Sequence, residues 1–173
     1  MTGVLSGLRV VEGSAFVAAP TCGMTLAQLG ANVIRFDMIG GGIDYKRWPV
    51  TAEGNSIYWA GLNKGKRSIA VDFRKPEGQE ILSSLITQPG EDRGILLTNF
   101  PMKGWLSYEA LQAKRADLIA LNILGNPDGS VAVDYTVNAA VGFPYVTGPD
   151  AETHPVNHVF PGWDVSTGYA AAT

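Results

Sequence analysis

The stretch LRVVEGSAFVAAPTCGMTLAQLGANVIRFD, residues 8–37, contains the pattern that predicts the fold. It opens on a short β-forming run, residues 8–13, and closes on a second one, residues 31–37. A helix is expected between them, because Pro20 suits a first helical turn and Gly30 suits the position after the last. Strand, helix and strand in this order predict a unit with two parallel strands.

The same alternation continues along the chain. Further strands are predicted at residues 67–73, 94–100 and 117–125. Further helices are predicted at residues 75–87 and 107–116, the latter with Ser107 as its cap. Residues 38–66 form a glycine-rich excursion with poor periodicity. Apolar strands alternating with helices predict an α/β, Rossmann-like fold, in which helices cover both faces of a parallel sheet.

Two parts of the chain are expected to differ. Residues 1–125 carry the alternating pattern and are predicted to form the Rossmann-like domain. Residues 126–173 follow the turn cluster NPDGS and have weak periodicity, so they are predicted to form a connecting segment.

Composition excludes several classes of protein. With 173 residues, 46% of them apolar and 17% charged, the chain is expected to be globular with a sizeable core. The net charge of −3 gives no overall attraction to nucleic acid or to an anionic membrane. Cys22 is the only cysteine, and the first residues lack the basic flank and apolar core of a signal peptide. A cytoplasmic protein without nucleic-acid or membrane partners is therefore expected.

Ligands of such a sheet bind beyond the carboxyl ends of its strands. The stretches expected there are GSAFVAAP, DFRK, NFP and GNPDG. No GxGxxG follows the first strand, and no Walker A pattern occurs, so the sequence argues against nicotinamide binding and nucleotide hydrolysis.

Several residue groups remain open to two interpretations. Lys64, Lys66 and Arg67 could bind a phosphate, or they could be a solvated strand entry. Aromatic residues could flank a ligand pocket or belong to the core; they are Trp48, Tyr58 and Trp59.

Other potential site residues lack a supporting pattern. His154 and His158 have the spacing of a helical metal pair, but Pro155 lies between them, so no metal site is predicted. Possible nucleophiles with no triad-like relation to a histidine are Ser14, Cys22 and Ser166.

Four stretches together resemble the family III CoA-transferases, the group of carnitine and formyl CoA-transferases and α-methylacyl-CoA racemase. They are LGANVIRFD, LNKGKRSIAVDFRKPEGQE, TNFPMKGWLSYEAL and GWDVSTG. The resemblance runs from Leu5 onward, and NKGKRSIAVDF is its most specific part. Three further stretches are most similar to members of the family that move CoA between the two carboxyl groups of the mesaconyl unit of mesaconyl-CoA. They are VVEGSAFVAAP, GGGIDYKRWPV and NHVFPGWD.

The resemblance implies that Asp164, inside GWDVSTG, is a catalytic nucleophile. A carboxylate can attack an acyl-CoA thioester, and the released thiolate then forms an aspartyl-CoA thioester. This chemistry needs no metal and no cofactor beyond coenzyme A as part of the substrate. The local pattern alone is more typical of a loop or helix-cap aspartate.

The resemblance also implies CoA-binding positions at the strand ends. These are Phe16, Val17, Val71, Asp72, Phe73, Arg74, Asn99 and Phe100. The chain has Met38 and Leu124 where the family often has basic residues. Phosphate recognition is therefore expected to depend on Arg74 and on the basic cluster of Lys64, Lys66 and Arg67.

Members of the resembled family are much longer and form interlocked homodimers. The chain is therefore expected to be the N-terminal portion of such an enzyme. The alternatives are a non-catalytic CoA-binding fragment and a family III transferase or racemase with another acyl substrate. For the isolated chain we expect self-association, weak CoA binding, no isomerase activity and poor anchoring of the segment that carries Asp164.

Overall fold

A computed structural model describes residues 3–148 and 154–173. Its strands form one parallel sheet in the order β3-β2-β1-β4-β5. The strands are β1 (Arg9–Gly13), β2 (Asn32–Asp37), β3 (Arg67–Ala70), β4 (Ile95–Thr98) and β5 (Ile119–Asn122). The predicted Rossmann-like α/β fold is confirmed, since all four pairs of neighbouring strands are parallel.

Helices cover both faces of the sheet. They are α1 (Ala18–Gln28), α2 (Ile57–Leu62), α3 (Pro76–Ile86), α4 (Tyr108–Gln112), α5 (Asp134–Ala140), α6 (Phe143–Val146) and α7 (Gly162–Ala172), with a 3-10 turn at Gly104–Leu106. Val11 and Leu96 pack with Leu82 of α3 on one face, while Val10 packs with Cys22 of α1 on the other. Neighbouring residues of one strand thus enter different cores, as the pleat requires.

The predicted strands and the first two long helices are found at nearly the predicted positions. Ser107 caps α4, because its hydroxyl accepts a hydrogen bond from the amide of Ala110 at 3.2 Å. Helix α2 lies inside the stretch that the sequence pattern left irregular. The described residues between 126 and 173 also contain three helices, although their periodicity is weak.

Helix α7 is anchored against α1, so the expectation of poor anchoring is wrong. Gly168 is buried at this contact, where a side chain would meet the Ala18 carbonyl and the Thr21 side chain. Ala171 and Ala172 pack against the core beneath α1. Asp164 is the third residue of α7, so it lies neither in a loop nor at the cap.

Within the residues that the structure describes, none of the helices combines the length and apolar character needed to span a bilayer.

The contact between α1 and α7 can be tested with Gly168→Ala. The new Cβ would lie 2.7 Å from the carbonyl oxygen of Ala18 and 2.7 Å from the Cβ of Thr21. We expect overpacking to reduce the free energy of unfolding by about 1–3 kcal/mol. The measurement is denaturant unfolding followed by circular dichroism.

The matched control is Gly162→Ala on the same helix, where the nearest atom would be 3.7 Å away. Alanine should be neutral or favourable there, because it has a higher helix propensity than glycine. Equal stability of the two variants would contradict the packing of α7 on α1.

Candidate active site

The loop between β1 and α1, residues 14–17, is held by the residue after β4 and by the irregular stretch after β2. The Ala15 amide donates to Asn99 Oδ1 at 3.0 Å, and Asn99 Nδ2 donates to the Ala15 carbonyl at 2.8 Å. The Phe16 amide donates to Asp44 Oδ2 at 2.8 Å. Phe16 has a φ of 68°, a left-handed conformation that is uncommon for a residue with a side chain. The structure therefore brings together the predicted site residues Phe16 and Asn99.

Arg35 of β2 connects this loop to the sheet. Its side chain is buried and forms a bidentate pair with Asp37, with Nε–Oδ2 and Nη2–Oδ1 distances of 2.9 and 3.1 Å. It also donates to Asp44 Oδ1 at 3.2 Å and to the Ser14 carbonyl at 2.8 Å. Arg35 thus fixes both the carbonyl of Ser14 and the carboxylate that holds Phe16.

A second buried pair removes Lys66 from the predicted basic cluster. Lys66 Nζ donates to Glu12 Oε1 at 2.7 Å, to the Pro20 carbonyl at 2.9 Å and to Asn63 Oδ1 at 2.8 Å. Its side chain is only 2% exposed. Burial raises the pKa of Glu12 and lowers the pKa of Lys66. Lys66 is therefore a structural residue, whereas Lys64 and Arg67 are exposed around the amino end of β3, and exposure alone does not separate the two interpretations for them.

The predicted residues after β3 lie at the same edge of the sheet. The buried Val71 donates its amide to the Asp37 carbonyl at 2.9 Å. Phe73 contacts Phe36 edge-on, with ring centroids 5.8 Å apart. Arg74 is exposed and pairs with Asp72 through Nε–Oδ1 and Nη2–Oδ2 distances of 2.8 and 3.1 Å. Of this group, only the Arg74 side chain extends freely toward solvent.

The remaining predicted positions combine core packing with access to the edge. Phe100 after β4 contacts Phe36 with ring centroids 6.3 Å apart, and it is partly buried. Val17 is buried at the start of α1. Phe16 is the most open of these apolar side chains, with 39% exposure.

Asp164 is half-buried near the amino end of α7. Asp134 of α5 accepts hydrogen bonds from the amides of Trp163 and Asp164, at 2.7 and 3.2 Å. Burial raises the pKa of Asp164, the negative charge of Asp134 raises it further, and Arg47 partly opposes both. The carboxylate is thus more basic than that of an exposed aspartate.

Arg47 is a site residue that the sequence analysis missed. Its guanidinium lies over the rings of Phe16 and Tyr58, at 5.3 and 4.8 Å from their centroids. Burial raises the pKa of Tyr58, which is also shifted by the charges of Arg47, Asp44 and Asp164. We call Phe16, Arg47, Tyr58 and Asp164 the Asp164 cluster. No periodic pattern marks Arg47, since it lies in an irregular stretch.

Trp48, Tyr58 and Trp59 are expected either to flank a ligand pocket or to belong to the core, and they differ in exposure. Trp48 is 79% exposed, whereas Tyr58 and Trp59 are half-buried. Trp59 packs edge-on against Tyr45 at 5.1 Å, and the guanidinium of Arg35 lies 5.5 Å from its ring. Tyr58 is the member of this group that belongs to the Asp164 cluster.

The other candidate nucleophiles are poorly placed for catalysis. Ser14 is buried and donates to Glu12 at 2.6 Å. Cys22 is fully buried, and burial raises its pKa to about 11, so the thiol stays protonated at neutral pH. His154 and His158 lie outside the helices, and the described residues contain no group of metal-ligating side chains. Ser166 is exposed on α7 and serves below as a control.

Comparisons with known proteins agree on the family of the chain. The sequence model of CoA-transferase family III matches residues 5–173. The chain is 64% identical to the 2-methylfumaryl-CoA isomerase of Chloroflexus aurantiacus, over 99% of this chain and 42% of that protein. It is 33% identical to the succinate–glutarate CoA-transferase of Agrobacterium fabrum, over 86% of this chain and 40% of that protein.

A solved structure supports the fold. The CaiB/BaiF family protein from Brucella suis superimposes with a TM-score of 0.88 at 30% identity, over 99% of this chain and 48% of that one. The chain spans about two fifths of the length of the two curated relatives.

The buried pair of Lys66 and Glu12 can be tested with Lys66→Met. This change leaves the buried Glu12 carboxylate with Arg35, at 3.8 Å, as its nearest cation, and breaking a buried pair typically costs about 3–5 kcal/mol. We expect a loss of that size in denaturant unfolding, and a partial recovery when Glu12→Gln is added.

Lys64→Met is the control, because Lys64 is exposed two residues away. We expect it to change stability by less than about 0.5 kcal/mol. Equal effects of the two methionine variants would mean that Lys66 does not carry the buried pair.

Proposed function

The chain belongs to CoA-transferase family III, and on that premise we propose that it carries the CoA-binding edge and the nucleophile of an enzyme that moves CoA between carboxylates. We propose further that this enzyme is a 2-methylfumaryl-CoA isomerase, which transfers CoA from C1 to C4 of mesaconyl-CoA. The observation that carries the proposal is the placement of Asp164 on an anchored helix beside Arg47. The 64% identity to the Chloroflexus protein supports the choice of substrate.

Asp164 is proposed to act by nucleophilic substitution at the thioester. Its carboxylate oxygen attacks the acyl carbonyl, the carbon–sulfur bond breaks, and CoA leaves as a thiolate with a mixed anhydride remaining on the protein. The thiolate then attacks the aspartyl carbonyl, which releases the dicarboxylate and leaves an aspartyl-CoA thioester. The C4 carboxylate attacks this thioester, the thiolate leaves again, and its attack on the C4 carbonyl of the new anhydride regenerates Asp164.

The environment of Asp164 has two consequences for this step. Attack requires the ionised carboxylate, so its raised pKa predicts that the rate falls with decreasing pH at a higher pH than for an exposed aspartate. A more basic carboxylate is also a stronger nucleophile once it is ionised. Burial therefore raises the pH below which activity is lost, and it makes the ionised Asp164 carboxylate a stronger nucleophile.

CoA is proposed to lie along the carboxyl edge of the sheet. The loop at Phe16 and the clamp at Asn99 would border the pantetheine, while Arg74, which follows the carboxyl end of β3, would meet the phosphates. Arg74 is 76% exposed, so exchanging its partner Asp72 for a phosphate needs no rearrangement of the core. CoA as part of the substrate would then be the only cofactor. A cytoplasmic homodimer is proposed for the whole enzyme on the family resemblance.

Arg47 is proposed to bind the free carboxylate of the dicarboxylate. The guanidinium rests on two aromatic rings, and no described carboxylate lies within ion-pair distance of it. A cation held in this way keeps its donors available for an anion. It would orient the carboxylate that later recovers CoA.

The nucleophile can be tested with Asp164→Asn. Because the chain spans 42% of the Chloroflexus isomerase, turnover is measured on the chain fused to the remaining C-terminal part of that protein, and on the chain alone. We expect regioisomer exchange to fall at least roughly a thousand-fold in the variant fusion, with little change in CoA affinity. Mass spectrometry of the unaltered fusion should find CoA attached to the peptide containing Asp164.

Ser166→Ala is the control on the same helix and should retain activity and the adduct. Exchange by an Asp164→Asn fusion at the unaltered rate, or an adduct on another residue, would refute the assignment. Exchange only with acyl groups other than mesaconyl would refute the substrate and leave the mechanism intact.

The role of Arg47 can be tested with Arg47→Gln in the same fusion. Loss of a charge-assisted hydrogen bond should raise the KM for mesaconyl-CoA by roughly 10- to 100-fold. The KM for an acyl-CoA without a second carboxylate should change much less. Lys46→Gln is the neighbouring control and should have no such selectivity. A uniform loss with both substrates would instead indicate that Arg47 acts on CoA or on the fold.

A further inference from the structure

We propose that Asp134 is a positioning residue for Asp164: it reaches across from α5 to cap the helix that carries the nucleophile. The term nucleophile rests on the function proposed above. The cap itself is a geometric relation between two helices, and it can be tested without turnover.

Helix α7 begins without a cap of its own. The residue in the capping position is Pro161, whose side chain has no acceptor, and no side-chain cap is formed there. A capping residue normally accepts from the second or third amide of its helix. Here those amides belong to Trp163 and Asp164, and both donate to Asp134 Oδ2, at 2.7 and 3.2 Å. A residue about thirty positions earlier in the chain thus replaces the local cap.

The helix that supplies the cap also holds the Trp163 side chain. Asn138 of α5 is 1% exposed, and its Oδ1 accepts from the Trp163 indole at 3.1 Å. The same oxygen lies 3.0 Å from His158 Nε2, and Phe143 packs edge-on against Trp163 at 5.3 Å. Trp163 is therefore fixed through both its backbone and its ring. These contacts position the first turn of α7, in which Asp164 is the next residue.

Asp134 also acts on Asp164 through its charge. The charges that influence the pKa of Asp164 are those of Asp134 on α5 and Arg47 in the loop after β2, and the charge of Asp164 in turn raises the pKa of Tyr58 on α2. The charge of Asp134 opposes ionisation of Asp164, whereas that of Arg47 favours it. Removing the charge of Asp134 should therefore lower the pKa of Asp164, and removing the hydrogen-bond acceptor should loosen the first turn of α7.

Two substitutions separate these effects. Asp134→Asn keeps an acceptor oxygen of nearly the same shape and removes the charge. Asp134→Ala removes both. Asp128→Asn and Asp128→Ala are the matched controls, because Asp128 is an exposed aspartate that bonds only to Ser130 among the described residues.

The measurements are NMR experiments on the 173-residue chain. We expect Asp134→Ala to accelerate hydrogen exchange of the Trp163 and Asp164 amides roughly 3- to 30-fold, while amides of β1 keep their protection. Asp134→Asn should change that exchange by less than about 3-fold and should lower the pKa of the Asp164 carboxyl. Both Asp128 variants should match the unaltered chain.

In the fusion, Asp134→Ala should lower kcat with little effect on the KM, and Asp134→Asn should shift the acid limb of the rate to lower pH. Unchanged exchange in Asp134→Ala, or equal loss in the asparagine variant, would overturn the capping role. An Asp164 pKa that does not fall in Asp134→Asn would overturn the electrostatic role. If Asp164→Asn proved fully active, the proposed function would fail, yet the exchange data would still decide whether Asp134 caps α7.

Discussion

The guanidinium of Arg35 is the group on which the geometry of the site depends. A charge inside a sheet is stable only when its lost hydration is replaced, and Arg35 replaces it with Asp37, Asp44 and the Ser14 carbonyl. Two of these partners belong to segments without regular structure. The same contacts that stabilise the charge therefore fix the loop after β1 and the stretch after β2. Removing the Asp37 carboxylate would take from the buried Nε of Arg35 the acceptor that it has in the structure.

This arrangement explains how an irregular edge can have a defined shape. Phe16 keeps a left-handed backbone because its amide is held by Asp44 and the neighbouring residue is held by Asn99. The left-handed backbone of Phe16 is strained, and the hydrogen bonds to Asp44 and Asn99 maintain it. Arg47 then rests on the ring that this conformation presents. A chain of contacts therefore runs from Arg35 through Asp44 and Phe16 to Arg47 in the Asp164 cluster.

The sequence predicts the sheet because its strands are apolar runs between helices with recognisable ends. Helix α7 could not be predicted from hydrophobic periodicity, because its glycine and alanine residues pack closely without an amphipathic stripe. Asp164 is identified by resemblance to a family, since its local pattern alone is ordinary. Arg47 and Asp134 become visible only in three dimensions, where residues far apart in the chain meet. For the same reason the pairing of Lys66 with Glu12, 54 positions earlier, could not be predicted from a local basic cluster.

The burial of Cys22 gives the chain a chemical property that follows from its packing. Cys22 is the only cysteine of the chain. Its thiol lies between α1 and the sheet and is protonated at neutral pH. A thiol reagent can reach it only when α1 separates from the strands beneath it. The labelling rate of the native chain therefore reports how often that helix opens, without any engineered probe.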